Sequence, residues 1–152
     1  MILKKKKRDL MPARIKRAKK ELEKLSHDFV RARDSHVVGG YSGPCFDCGK
    51  HVSGAMFQCG HWVPNSVGGA LLRYHPHNMH GQASGCNCGY QQEYVKINYT
   101  KAMIFEYGMD RVEALQRLKN RSIKADIIFY ETMVDLYKKG DEQAIVDYLE
   151  NL

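Results

Sequence analysis

Apolar residues recur at helical spacing in the first and last thirds of the chain, while the middle third lacks that spacing. From about Pro12 to Asp34 the chain contains no glycine and no second proline, and lysine and arginine fill many of the polar positions. The apolar positions on one face are Ile15, Leu22, Leu25 and Phe29. This pattern predicts a long amphipathic helix with Pro12 among its first residues, where proline costs no hydrogen bond.

The last third of the chain returns to helical spacing from about Glu93. Glycine often ends a helix because it adopts the left-handed conformation at little cost, so Gly108 and Gly140 are the expected stops. The expected N-terminal caps are Asp110, Ser122 and Asp141. The residues expected to face the core are Tyr99, Met103, Tyr107, Ile127, Tyr130, Val134, Tyr137, Ile145, Tyr148 and Leu149.

The middle of the chain, from about Pro44 to Tyr90, is rich in glycine, cysteine, histidine and turn residues, and offers few apolar residues for a core. Within it, "AMFQCGHW" favours a short strand. A segment of this composition needs an internal cross-link, and a structural metal is the simplest one. The whole pattern predicts an α+β, mainly helical protein that folds as one integrated domain.

Charge is distributed unevenly along the 152 residues. The chain carries 24 Lys and Arg against 17 Asp and Glu, a net charge of +7, while residues 1–33 carry 13 against 4, a net of +9. The rest therefore carries 11 against 13, a net of −2. A basic N-terminal segment on a near-neutral body indicates a polyanionic partner, although a solvated tail has the same composition.

The sequence contains no apolar run of the length that a membrane span needs, and no apolar stretch follows the basic first residues as in a secretory signal. We therefore expect a cytoplasmic protein with no membrane contact. In that compartment thiols stay reduced.

Five cysteines lie between Cys45 and Cys88, and under reducing conditions such a cluster favours metal binding over disulfides. Cys45 and Cys48 form a C-x-x-C turn followed by glycine, a spacing at which two thiolates can bind one ion. Cys86 and Cys88 complete a zinc site if both point inward and Asn87, between them, points away. A redox pair and a set of free buried thiols are the alternatives that this pattern leaves open.

Histidines surround the same segment, at His51, His61, His75, His77 and His80. A single histidine here would usually be structural or exposed. His61, however, lies between the two cysteine pairs, and Asn87 lies beside a cysteine that a metal would hold in place. We therefore expect these two side chains to face each other in one site.

Three sequence blocks occur in order, namely "FVRARDSHVVGGYSGPCFDCG", "QCGHW" and "LRYHPHNMHGQASGCN". Together they resemble the NinG/Rap family of phage recombination endonucleases, which act on branched DNA such as Holliday junctions and belong to the HNH, or ββα-metal, nucleases. The resemblance covers about residues 27–115. It implies a basic segment with a long helix over residues 1–40, a zinc-stapled HNH-like nuclease core over 41–100, and a helical region over 101–152, acting in the cytoplasm of a host cell.

The resemblance also assigns roles to individual residues. His61 corresponds to the general base, and Asn87 to a ligand of a catalytic Mg²⁺ or Mn²⁺. Asn78 would brace a loop by hydrogen bonds, while His80 and Gln82 would line the site. Cys45, Cys48 and Cys86 match the ligands of a structural Zn²⁺.

Two positions depart from the family pattern. Ala83 replaces the first cysteine of the second pair, so the fourth zinc ligand is expected from Cys88 or, as the runner-up, from His80. Gly60 stands where many HNH nucleases have an acidic or histidine metal ligand directly before the base. The alternatives for the second ligand of the catalytic ion are Gln58, His80 and Glu93.

Cationic side chains would bind the DNA backbone without reading its sequence. The candidates are Lys16, Arg17, Lys20, Arg31 and Arg33 on the long helix, together with Arg73. Trp62 and Tyr74 would stack on bases at an opened junction, although core packing is the commoner role of such residues. A homodimer would match the two-fold symmetry of a four-way junction.

We therefore expect a metal-dependent, structure-selective DNA endonuclease that cuts branched recombination intermediates such as Holliday junctions. The alternative is a zinc-stapled DNA-binding protein that does not cleave, which the missing acidic ligand beside His61 favours. A redox or metal-handling protein would use the cysteine pairs directly, but it leaves the basic segment unexplained.

Overall fold

The structure of the protein is a computed structural model that describes residues 2–90 and 92–152, with side chains described from residue 10 onward. The described part is mainly helical with two small antiparallel sheets, so the α+β, mainly helical class is confirmed. In that part of the chain, no helix is both long enough and apolar enough to cross a lipid bilayer. In chain order the elements are α1 (Ile2–Arg33), β1 (Ser42–Pro44), β2 (His51–Ser53), β3 (Phe57–His61), α2 (Asn65–Arg73), β4 (Met79–Ala83), α3 (Ser84–Cys88), α4 (Glu93–Tyr107), α5 (Met109–Leu118), α6 (Ile127–Lys139) and α7 (Glu142–Glu150).

The first helix is longer than its apolar pattern predicts. α1 extends from Ile2 to Arg33, so Pro12 lies inside it rather than near its start. Proline inside a helix removes one backbone hydrogen bond and crowds the preceding turn, but the lysines and arginines on both sides are good helix formers. The predicted start is therefore wrong, while the predicted end near Asp34 is confirmed.

The basic helix is also the structural spine of the protein. α1 packs lengthwise on α6 and contacts β3 and β4. Leu22 and Val30 are fully buried, and the Phe29 ring lies 5.5 Å from the ring of Tyr137 on α6. Each buried aliphatic side chain of this kind contributes about 1.5–3 kcal/mol to folding. The helix thus holds the small sheets against the C-terminal helices.

Two hairpins build the middle of the chain. β1 pairs antiparallel with β2, and β3 pairs antiparallel with β4 in a register that runs from Phe57 opposite Ala83 to His61 opposite Met79. β3 confirms the strand predicted for "AMFQCGHW". α2 lies in the connection between β3 and β4, and α3 follows β4 directly and contacts both strands.

The helix ends that glycine predicts are confirmed. Gly108 follows α4 with φ of 81°, and Gly140 follows α6 in the left-handed conformation with φ of 69°. Asp141 caps α7, because its side chain accepts a hydrogen bond of 3.1 Å from the backbone N–H of Ala144. The residues buried on these helices include Tyr99, Met103, Tyr130, Val134, Tyr137, Ile145 and Leu149, as their spacing predicts.

Two of the predicted caps are wrong. α5 begins at Met109, directly after Gly108, so Asp110 lies in its first turn and makes no side-chain cap. α6 begins at Ile127, five residues after Ser122, and its cap is Asp126, which accepts from the N–H of Phe129 at 3.1 Å. Both errors have one cause, since several Ser and Asp residues here fit the capping pattern and packing selects among them.

Candidate functional site

Three cysteines converge at one end of the β3–β4 hairpin. The Sγ atoms of Cys45, Cys48 and Cys86 all lie within 4.8 Å of one another. The turn after β1 brings the first two together, because Gly49 has φ of 73° and its N–H donates to the Cys45 carbonyl oxygen at 2.8 Å. α3 supplies the third. We refer to these three residues as the cysteine cluster.

The donor set of the cysteine cluster suits Zn²⁺. Zinc binds thiolate sulfur at about 2.3 Å, which places sulfur ligands roughly 4 Å apart. Burial, followed by a hydrogen bond to Asp47, raises the pKa of the Cys45 thiol to about 11, and burial also raises the pKa of Cys86. A divalent cation reverses this effect, because it stabilises the thiolate directly. The cluster can therefore hold a metal such as zinc with three thiolates.

The structure does not bring Cys88 into the cluster. Both cysteines of the C-x-C pair lie in the short helix α3, and residues two apart in a helix point to nearly opposite sides. Cys88 is accordingly exposed. The expectation that both cysteines point inward and Asn87 away is wrong, because it assumed an extended chain. Cys59, which carries no predicted role, is buried in the core instead.

His80, the runner-up for zinc, belongs to a buried polar network elsewhere. Its ring stacks on Phe46 with centroids 3.7 Å apart, and its Nε2 lies 3.0 Å from the Tyr107 hydroxyl. Its Nδ1 lies 3.1 Å from a guanidinium nitrogen of Arg33 and 3.4 Å from a carboxylate oxygen of Asp34. Both ring nitrogens thus have protein partners, so the structure makes His80 a packing residue rather than a metal ligand.

Asn87 on α3 contacts Gln58 on β3. The Asn87 Nδ2 donates to the Gln58 Oε1 at 2.9 Å, so two residues predicted to bind the catalytic ion are in contact. Gln58 is directly opposite Gln82 in the β3–β4 register, and alternation therefore puts both on the same face as Gly60. This face of the hairpin gathers three carboxamides.

Gly60 has no side chain, and the carboxamide of Gln82 fills the position that a Cβ atom would take, with the carboxamide of Asn87 next to it. A Cβ atom placed on Gly60 would lie 1.9 Å from the Gln82 Oε1 and 3.2 Å from the Asn87 Oδ1. Within the described residues, the buried Gln82 Oε1 has no hydrogen-bond partner. Mg²⁺ and Mn²⁺ take oxygen ligands, including amide carbonyls. The two amide oxygens beside Gly60 therefore have the donor chemistry that such an ion needs.

His61 ends β3 and is held as a neutral proton acceptor. Its Nε2 lies 3.0 Å from the carbonyl oxygen of Arg73, which can only accept, so Nε2 carries the proton and Nδ1 keeps a lone pair. Burial, as the largest cause, lowers the pKa of His61 to about 4. The ring meets that of His27 on α1 edge-on, at 5.7 Å between centroids. His61 is thus unprotonated near neutral pH.

His61 and Asn87 lie on opposite faces of β3. Strand alternation puts His61 on the side of Cys59 and α1, whereas the neighbouring Gly60 faces Asn87. No contact between described residues joins the two side chains. The expectation that they face each other directly is therefore not met, and a shared ligand would have to span the edge of the strand.

A groove of about 440 Å³ follows that edge between α1 and α3. Its polar lining consists of Lys24, His27, Asp28, Arg31, Gln58 and Asn87, and we call it the β3 groove. His27, the ring neighbour of His61, lies on one bank, and Asn87 lies on the other. His27 and Asp28 carry no obvious sequence signal, because only the packing of α1 against β3 brings them to the site.

Cations on one face of α1 lead into the β3 groove. Lys16, Lys20 and Lys24 are exposed at intervals of four residues, and Arg31 follows at the groove itself. At 1.5 Å per residue the row from Lys16 to Arg31 is about 22 Å long. Arg17 is also exposed, on a neighbouring face. This row is an electrostatic path suited to a phosphate backbone.

Three arginines predicted to bind DNA, Arg31, Arg33 and Arg73, are engaged within the protein. Arg31 donates to the carbonyl oxygens of Phe57 and Gly54 at 2.7 and 2.9 Å. Arg33 donates to Asp34, Glu142 and the carbonyl oxygens of Pro76 and Met79, which leaves no guanidinium N–H for a phosphate. Its DNA-binding assignment is therefore a wrong prediction. Arg73 pairs with Glu23 at 3.0 Å, and its backbone carbonyl positions His61.

The remaining predicted residues divide between support and packing. Asn78 is buried, donates to the carbonyl oxygens of Val63 and Leu72 at 3.0 and 2.9 Å, and so braces its loop as the resemblance implies. Trp62 and Tyr74 are only 5% and 1% exposed, so the expectation that they stack on bases is wrong. Glu93 begins α4 as an exposed residue outside the lining of the β3 groove.

Comparison with protein families gives one match of nearly full length. A family model described as "NinG: Bacteriophage Lambda NinG protein" matches residues 2–143. No curated protein and no solved structure matches the chain. The matched region includes the cysteine cluster, the β3 groove and His61.

Proposed function

The chain belongs to the NinG family of bacteriophage lambda, and from that premise we propose that it is a metal-dependent endonuclease that cuts branched DNA such as Holliday junctions. One observation carries the proposal. A neutral histidine with a fixed tautomer lies on one side of a strand, and on the other side the amide oxygens of Gln82 and Asn87 lie close together beside Gly60. A basic row on α1 runs into the β3 groove, which is lined by Asn87 and by His27, the ring neighbour of His61.

His61 is proposed as the general base. Its Nδ1 takes a proton from a water molecule, while the Nε2–H bond to the Arg73 carbonyl keeps the tautomer and the ring orientation. A pKa of about 4 makes a weak base in the free protein. A phosphodiester raises that pKa on binding, because an anion stabilises the imidazolium.

Asn87 is proposed to hold the divalent cation, Mg²⁺ or Mn²⁺. Its Nδ2 is committed to Gln58, so its Oδ1 is the atom left to bind the ion. When bound, such an ion would act as a Lewis acid on a phosphate oxygen and stabilise the charge that develops on the leaving 3′ oxygen. Gln58 acts by orienting Asn87.

Zinc at the cysteine cluster would keep this arrangement rigid. Cys86 directly precedes Asn87, so fixing its sulfur fixes the helix turn that presents the amide. A reducing host cytoplasm keeps these thiols available for the metal.

DNA would approach along α1. Lys16, Lys20 and Lys24 bind phosphates without sequence preference and direct the backbone toward the β3 groove. We propose a homodimer, because two sites related by a two-fold axis match the symmetry of a four-way junction and allow two cuts. Light scattering that finds only monomers while junctions are still cut would exclude the dimer.

The test is a nicking assay on a four-way junction, a duplex and a single strand, each with Mg²⁺, Mn²⁺ or EDTA. We expect metal-dependent nicking of the junction that His61→Ala abolishes and His51→Ala retains, since His51 is exposed on β2. Junction binding without nicking in any metal would instead support the non-cleaving, zinc-stapled DNA-binding protein. The opposite orientations of His61 and Asn87 are the observation that favours that second candidate.

A further inference from the structure

We propose that Gln82 is the second protein ligand of the divalent cation and that Asp47, in the zinc-binding turn, aims its oxygen. The inference rests on the proposed function and names a residue and a linkage within the same site. Its first support is a buried polar atom that has no hydrogen-bond partner. Gln82 is fully buried, yet its Oε1 has no hydrogen-bond partner in the described part of the chain. A buried carbonyl oxygen without a protein partner is unusual, and a bound cation would satisfy it.

The position of that oxygen indicates its ligand. A Cβ on Gly60 would lie 1.9 Å from the Gln82 Oε1 and 3.2 Å from the Asn87 Oδ1, so the two oxygens lie close together beside Gly60. Oxygens on adjacent corners of a Mg²⁺ octahedron are about 3 Å apart, with each about 2.1 Å from the ion. Only glycine at position 60 lets the Gln82 carboxamide lie this close to the backbone, which accounts for the missing acidic side chain at that position.

The orientation of the amide is set by Asp47. The Gln82 Nε2 donates to the Asp47 Oδ1 at 3.0 Å. A flipped amide would put its oxygen against the carboxylate. The hydrogen-bond network therefore requires the Nε2 to face Asp47 and the Oε1 to face Gly60. Asp47 lies between Cys45 and Cys48, within the turn that carries two residues of the cysteine cluster.

The positions of both amide ligands thereby depend on the cysteine cluster. Gln82 is oriented through Asp47 of the C-x-x-C turn, and Asn87 through its neighbour Cys86, the third residue of the cysteine cluster. Loss of zinc should therefore loosen both oxygens together. An isolated carboxamide binds Mg²⁺ weakly, so this preorganisation compensates for the absence of a carboxylate.

The experiment measures Mn²⁺ binding to the zinc-loaded protein by electron paramagnetic resonance, without DNA and with zinc content determined for each sample. Gln82→Met removes the oxygen at similar length and should weaken Mn²⁺ binding at least about tenfold. Gln116→Met, at an exposed position on α5, is the matched control and should bind as wild type. Circular dichroism checks that each variant is folded.

A second pair of variants keeps the inference testable if Gln82→Met does not fold. Asp47→Ala should weaken Mn²⁺ binding while zinc stays bound, and Asp47→Asn, which can still accept from the Gln82 Nε2, should restore most of it. Equal Mn²⁺ affinity in wild type and both Asp47 variants would overturn the linkage. Equal affinity in Gln82→Met would overturn the ligand assignment, even if the wild type cuts junctions. Mn²⁺ binding that depends on Gln82 in a protein that never nicks DNA would support the cation site and refute the proposed function.

Discussion

Gly60→Ala tests the packing of the site with one methyl group. The new Cβ would lie 1.9 Å from the Oε1 and 2.9 Å from the Cδ of Gln82, where unstrained contacts exceed 3.0 Å. Gln82 must move by about an ångström, and it is fully buried, so it cannot turn into solvent. The movement breaks its bond to Asp47, which costs about 1.5–3 kcal/mol for a charged acceptor, and overpacking adds about 1–3 kcal/mol.

We therefore expect Gly60→Ala to lower the free energy of unfolding by about 3–5 kcal/mol in urea titrations and to abolish metal-dependent nicking. Gly85→Ala is the control, because its Cβ would meet nothing within 4 Å and it lies inside α3. That change should be neutral or stabilise by up to about 1 kcal/mol. Adding Gln82→Ala to Gly60→Ala should cost less than the two single changes together, since the clash disappears.

Unfolding of Gly60→Ala at the same urea concentration as the wild type would contradict this expectation. Such a result would mean that Gln82 does not pack over Gly60 and that its oxygen does not lie beside the oxygen of Asn87. Alanine in place of glycine within a strand has no general cost, so the loss can be attributed to this contact.

Three further predictions concern other parts of the molecule. Burial lowers the pKa of His61 from 6.5 to about 4, so below pH 6.5 the unfolded chain binds a proton that the folded chain does not. Up to about 3 kcal/mol of stability is therefore lost as the pH falls from 6.5 to 4, and His61→Gln should remove that part of the loss in urea titrations, while His27, His75 and His80, whose pKa values burial also lowers, keep the rest. Cys86→Ser should release zinc, measured by metal analysis, whereas Cys88→Ser should keep it; loss of zinc in both would return Cys88 to the ligand set. Lys20→Ala should reduce the slope of log K against log salt for DNA binding by about 0.9, whereas Arg33→Ala should destabilise the fold by about 3–5 kcal/mol and leave the slope unchanged.

The sequence predicts those parts of the fold whose determinants are local. Helix stops at Gly108 and Gly140 follow from the conformation of a single residue, and the cap at Asp141 follows from one side chain. Asp110 and Ser122 have the same local signal, but the packing of neighbouring helices selects other starts. Local sequence therefore limits the candidates for a helix start, and tertiary contacts determine which of them is used.

The candidate site depends more on contacts between distant residues. The C-x-x-C spacing is enough to predict that Cys45 and Cys48 meet, but the C-x-C spacing has one meaning in a strand and another in the helix that α3 forms. The orientation of Gln82 depends on Asp47, which is 35 residues earlier in the chain. No local pattern carries that information, and the same holds for His27 beside His61.

The positions of aromatic residues likewise depend on contacts that the local sequence does not predict. Trp62 lies beside His61 in the sequence, which suggests a place near DNA, yet its Nε1 donates to the Thr100 hydroxyl at 3.0 Å inside the protein. Composition alone does not tell a buried aromatic residue from one that stacks on a base. The hydrogen bond to Thr100 on α4 is what holds the Trp62 ring inside the protein.

The most direct test asks whether His61 and Asn87 act on one phosphate although they lie on opposite faces of β3. Single-turnover nicking of a four-way junction in Mg²⁺ should be measured for His61→Ala, Asn87→Ala and the double variant. Groups that serve one reaction step are not additive, so each single change should reduce nicking to near background and the double change should do no more. Nicking at the wild-type rate by either single variant, with zinc and fold intact, would contradict the account.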